Sequence, residues 1–323
     1  MRGWAGLLPA GLLLAGCAVA PPLSYPPSAH ERLLRLALDE WREWGCATRG
    51  LPGPTLASCP GAARPQPRES APESFPRVLA YWRAVPEARV AIPPNRGHYA
   101  AILAGQDAPL WAEPFWSAAF ISWLMAAAGV DRAEFRPSAA HSFYLDHLDR
   151  VAAAHPATAP FLPHEPGGYS PAPGDLVCHD RSARPLARWA DRAWEPGQFR
   201  PMHCDIVVAT GAGVVEVVGG NTRDRVALTR LAADAGGRLL PQPRPVVVVV
   251  ENRLGRLPPW GGPSLRPPAL RPAAAGAARH GPHRPRSGDG TPATGGYAAP
   301  RWVVRAAPGH APPRGSAPAA PRG

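Results

Sequence analysis

"HCDIVVATGAGVVEVVGGN", residues 203–221, is a run of valines and isoleucine broken once by glycine. Side chains alternate along an extended strand, so His203, Asp205 and Val207 share one face and Cys204, Ile206 and Val208 the other. "ATGAG" (209–213) reverses the chain. On the return, Val215, Val217, Gly219 and Asn221 share a face and Glu216 points opposite. The stretch reads as a hairpin with one apolar face and one that carries a titratable pair.

Residues 173–178, 226–231 and 244–253 have the same valine-rich, glycine- or proline-bounded character and read as further strands. Upstream the period changes. "AHERLLRLALDEWREWG" (29–45) puts Leu33, Leu34, Ala37, Trp41 and Trp44 on one helical face, with Gly45 as the stop. "FPRVLAYWRAV" (75–85) predicts a second helix, and 86–114, with several prolines and glycines, predicts an irregular segment. A third helix opens at "FWSAAFISWLMAAAGV" (115–130), where Ser117 suits an N-cap and Gly129 a terminator. A fourth spans 138–155 from Ser138, with His141, Tyr144 and His147 able to wall a groove or to sit exposed. Helices first and strands afterwards predict an α+β domain, N-terminal helices packed on a small antiparallel sheet.

The order of four motifs, "FWSAAFISW", "PGDLV", "HCDIVV" and "VVGGN", resembles that of CHAP amidase domains, the papain-like hydrolases of peptidoglycan. The "WSAAFISW" and "HCDIVV" signatures are also similar to a bacterial family known as domain of unknown function twenty-two seventy-two. The resemblance covers about 75–252. It implies a papain-like, CHAP-like fold acting on peptidoglycan peptides as an amidase or endopeptidase, with no cofactor. Carried over residue by residue, it implies Ser117 as nucleophile at a helix N-terminus, His203 as its base and Asn221 as the residue that orients the ring, with Asp205 able to assist. Two positions depart from the pattern: serine stands where cysteine is usual, and Gly219 stands where glutamate is common. A non-catalytic peptidoglycan-binding or scaffolding protein on the same fold is the alternative.

"VCHD" (177–180) and "MHCD" (202–205) each resemble half a zinc site, but strand neighbours point to opposite faces, so no metal is assigned. Cys204 as a thiol nucleophile would lie on the apolar face, where burial raises a thiol pKa.

The chain starts "MRGWAGLLPAGLLLAGC": one positive residue, a short apolar run and a Leu-Ala-Gly-Cys ending that resembles a bacterial lipobox. Residues 1–16 read as a signal peptide, Cys17 as the lipidated N-terminus, and Ala18 points to the outer membrane, facing the periplasm. Residues 17–74 then comprise the lipidated N-terminus, the first helix and a linker. Export permits disulfides among Cys46, Cys59, Cys178 and Cys204. Three pairings are possible, and proximity favours Cys46 with Cys59, leaving Cys178 with Cys204.

The net charge of +11 is concentrated: from 253 to the end there are eleven arginines and one acid, Asp289. The rest of the chain is nearly neutral. Residues 253–323, rich in proline, arginine, glycine and alanine, read as a disordered tail that attracts polyanions without specifying one, so no specific nucleic-acid partner follows. Oligomeric state has no signature here.

Overall fold

The computed structural model describes residues 19–60 and 65–256. The segment read as a signal peptide, Cys17 and the basic stretch beyond 256 lie outside the described residues.

Five α-helices precede or flank a seven-stranded sheet among the described residues: α1 (Pro27–Glu43), α2 (Phe75–Arg83), α3 (Ala88–Leu103), α4 (Ser117–Ala128) and α5 (His141–Ala154), with β1 (Thr48–Gly50), β2 (Phe161–His164), β3 (Leu176–Asp180), β4 (Met202–Gly211), β5 (Val214–Gly219), β6 (Ala227–Ala232) and β7 (Val246–Asn252). The strand order is β1-β6-β5-β4-β3-β7-β2. No described helix is long and apolar enough to cross a membrane.

The sheet is larger than the sequence pattern suggests, and mixed rather than antiparallel. β1 runs parallel to β6, and all other neighbours are antiparallel. β1 and β2 have three and four residues, too few to show a period; tertiary pairing makes them strands. The segment read as a linker therefore supplies an edge of the sheet, and α1 buries Leu33, Ala37 and Trp41 in the main core.

The reading of 86–114 as irregular is also corrected. α3 continues through Pro93 and Pro94. The two prolines deprive the carbonyls of Arg89 and Val90 of their helical donors, and both residues are exposed, so water can replace the lost bonds. Asn95 pins the helix: its side-chain amide donates to the Ala91 and Glu113 carbonyls, and its Oδ1 accepts from the Trp111 amide.

The hairpin alternation holds in three dimensions. Cys204, Ile206, Val208 and Val218 join the core beneath the helices, with Cys178, Val248 and Val250 from neighbouring strands. On the other face, Val177, Val207, Val215, Val217 and Leu231 form a smaller cluster. α4 is apolar nearly all round because it is the central helix, packed on α1, α2, β4 and β5. Gly129, at φ 89°, ends it in the left-handed conformation that only glycine adopts without cost.

Candidate functional site

Ser117 does not cap α4. Trp116 occupies the N-cap position, and Ser117 is the first helical residue. Trp116 is fixed on three sides: its ring stacks on Trp44 and Tyr81, with centroids 5.7 and 5.4 Å away, and its Nε1 donates to Glu69 Oε2 at 2.5 Å. Burial pushes the Glu69 carboxyl up to about 7, against the lowering effect of that indole bond.

His141 is the first residue of α5, and the two helix starts meet. Ser117 Oγ and His141 Nε2 are 2.8 Å apart, and His141 Nδ1 is 2.5 Å from the Tyr144 hydroxyl. The clamp that brings them together is Ser122 in α4, which donates to the Ser138 carbonyl at 3.0 Å and accepts from the Ser138 amide at 3.1 Å. Ser138 Oγ in turn accepts from the Ala140 amide just before α5. Ser117, His141 and Tyr144 are all buried. Burial, reinforced by neighbouring His203, holds the His141 imidazole well below 6.5, and burial next to Asp205 keeps the Tyr144 phenol protonated far above its ordinary range.

His203 lies beside His141, with ring centroids 5.5 Å apart, but its own hydrogen-bond partner is Asp205, Nε2 to Oδ1 at 3.0 Å. His179 stands directly across from His203 in the β3–β4 register, with its Nε2 4.0 Å from Asp205 Oδ2. Burial alone would raise the Asp205 pKa; the charge and hydrogen bond of His203, with His179 and His141 around it, outweigh burial and hold the carboxyl below the usual range. His203 Nδ1 is buried without a partner among the described residues.

Gly219 explains its own departure from the CHAP pattern. A Cβ there would stand 1.7 Å from Asp205 Oδ1 and 3.1 Å from His203 Nε2. The carboxylate from β4 fills the notch that a side chain on β5 would need.

Asn221 does not orient the histidine. It adopts φ 53°, and its Nδ2 is buried without a partner among the described residues. Asp205 makes that contact instead, with Thr222 Oγ1 3.5 Å from the same ring nitrogen. His147, the third residue weighed on α5, lies apart, bonded to the Ala133 carbonyl at 2.7 Å.

A groove of roughly 400 Å³ opens over this end of the sheet, with His179, His203, Asp205 and Asn221 among its walls. Ser117 and His141 are not among them. His203 is thus the link between the buried pair and the groove.

Cys46 is bonded to Cys59, and Cys178 to Cys204. Cys178 and Cys204 are directly opposed on β3 and β4, with Cα atoms 4.1 Å apart. The bond removes both thiols as zinc ligands and Cys204 as a nucleophile.

His179 escaped the sequence reading because "VCHD" was weighed only as half a metal site. His141 and Tyr144 carried a signal, their i, i+3 spacing at a helix start, but which group they meet is a long-range property.

The fold and site define an α+β protein in which two helix N-termini converge on a histidine–aspartate pair at one end of a mixed sheet. Residues 69–255 match the model of a family described as "Uncharacterized protein conserved in bacteria (DUF2272)", and the chain belongs to that family. No curated protein and no solved structure matches the chain.

Proposed function

We propose that this protein is a serine-dependent amidohydrolase of papain-like, CHAP-like descent that cleaves peptidoglycan peptides. The observation that carries the reading is the 2.8 Å contact between the Ser117 hydroxyl and His141 Nε2 at the N-terminus of a buried helix. With a proton on His141 Nδ1 donated to the Tyr144 oxygen, Nε2 is free to take the Ser117 proton as Oγ attacks an amide carbonyl. The N-terminus of α4 favours the anion that develops there. Asp205 favours the imidazolium formed on His141. That imidazolium protonates the departing amine, and water then hydrolyses the seryl ester, restoring the hydroxyl and releasing a carboxylic acid. His141 thus takes the role that the resemblance gave to His203, and His203 with Asp205 supports it from the groove.

The setting we infer for this activity is the periplasmic face of the outer membrane, with the protein anchored by acylated Cys17. The two disulfides support an exported protein.

One observation favours the second reading, a peptidoglycan-binding or scaffolding protein without covalent chemistry: Ser117 and His141 are buried and stand outside the walls of the groove, which His203 and Asp205 help to form. Chromatography of fragments released from purified peptidoglycan separates the two. The hydrolase reading expects release that falls at least about a thousandfold in Ser117→Ala and about a hundredfold or more in His141→Ala, with thermal melting retained. Sedimentation with peptidoglycan but no release by the wild type would establish the binding reading.

A further inference from the structure

The groove over His203 is bordered by arginines that the proposed chemistry does not use. Arg230 is structural: its guanidinium is buried, pairs with Glu216 at 3.3 Å and donates to the Leu51 carbonyl at 2.8 Å. Arg49, Arg181, Arg223 and Arg244 are different. All four are exposed, all line the groove, and among the described residues none of their side chains makes a hydrogen bond or ion pair. The acid nearest the middle, Asp205, is committed to His203 and His179.

Their places in the sheet give the arrangement its meaning. Arg49 is on edge strand β1, Arg223 is in the β5–β6 connection, Arg181 directly follows β3 and Arg244 lies two residues before β7. Arg181, Arg223 and Arg244 belong to the end of the sheet where β4 starts with Met202 and His203, and Arg49, paired with Thr229 within β6, stands further along the strands at the β1 edge. From β1 to β3 is four strand steps, about 19 Å at ~4.8 Å each. A compact anion reaches only one or two guanidiniums over such a row. An extended peptide advances about 3.3 Å per residue, so roughly six residues bridge it.

We propose that this row binds an extended acidic peptide, its carboxylates held by Arg49 and Arg223 on one side and by Arg181 and Arg244 on the other, laid across His203. Arginine suits the task because its planar fork takes a carboxylate through two parallel hydrogen bonds. The inference deepens the reading above and rests on it for the identity of the site, since it assigns the class of peptide the site receives.

The test is fluorescence anisotropy with the full chain and labelled hexaglutamate, hexaglutamine as the neutral control and inorganic phosphate as competitor. The arginine-rich stretch beyond 256 contributes a background common to all variants, so the comparison between wild type and groove variants reads the groove. Expected are a preference for hexaglutamate of at least tenfold that weakens with added salt, and about a tenfold loss in each of Arg49→Gln/Arg223→Gln and Arg181→Gln/Arg244→Gln at unchanged thermal melting. Equal binding of the two peptides by the wild type overturns the proposal whether or not the variants fold. So does undiminished binding in both double variants, or displacement of the peptide by phosphate at equal concentration. Glutamate preference without fragment release from peptidoglycan leaves the peptide groove standing and removes the hydrolase; release without glutamate preference does the reverse.

Discussion

Ser117 Oγ and His141 Nε2 lie 2.8 Å apart, although each opens a different helix and 24 residues separate them. The contact depends on Ser122, whose hydroxyl both donates to and accepts from the Ser138 backbone and so ties the approach to α5 onto the middle of α4. A serine inside a helix is usually a weak choice. Here it sets the distance between the Ser117 hydroxyl and the His141 ring.

The pH dependence follows from the burial of His141. Its folded-state pKa is depressed below 6.5 by burial and by His203, partly offset by Asp205, with Arg181 adding a smaller lowering effect. The imidazole therefore stays neutral into mildly acid solution, and with His141 as the proposed base the acid limb of peptidoglycan release should lie below pH 6.5. The contribution of His141 to stability has the same sign: between the depressed pKa and 6.5 its imidazole is protonated in the unfolded chain and neutral in the native one, so this contribution rises with pH up to 6.5 and is lost as pH falls, as the difference between wild type and His141→Ala reads. Release rates measured against pH, with melting curves in the same buffers, check both; an acid limb above neutrality would remove His141 as the base.

Gly219→Ala tests the notch that holds Asp205. The added methyl group would overlap Asp205 Oδ1, so the carboxylate must leave His203 or the strand must shift, at a cost of about 1–3 kcal/mol. The expected result is a lower melting temperature together with displaced His203 ring signals in NMR spectra. Unchanged His203 ring signals would show that the notch is not what holds the pair.

Glu69 should make the protein less stable as pH rises. Its carboxyl is raised from 4.5 to about 7, so in that interval the native state keeps a proton that the unfolded chain has released. The stability present in acid is lost as pH climbs through about 7. Glu69→Gln keeps an acceptor for Trp116 and removes the titration. Thermal melting should then vary less with pH over this interval than in the wild type, and an identical pH profile would contradict the assignment.

The cross-strand bond between Cys178 and Cys204 closes a span of 26 residues. The loop-entropy relation gives it about 3.5 kcal/mol, or roughly 7–14 °C in melting temperature for a domain of this size. Calorimetry of Cys178→Ala/Cys204→Ala checks the figure. Because the bond lies on the helix side of the sheet, away from His203 and Asp205, hexaglutamate binding at room temperature should survive.

By itself the sequence determined the local elements whose periods are long enough to read. Apolar residues at helical spacing gave α1, glycine after an apolar run ended α4, and strict alternation in 203–218 put the titratable pair on one face and the cysteine on the other. Through motif order it also singled out Ser117 and His203 as candidate site residues. Only the tertiary structure decided that His141 meets Ser117, that Asp205 fills the space at Gly219, and that β1 joins the sheet in parallel. Those facts rest on contacts between segments far apart in the chain, whose geometry is fixed when helices and strands pack, and no local pattern of residues encodes a distance across such a gap.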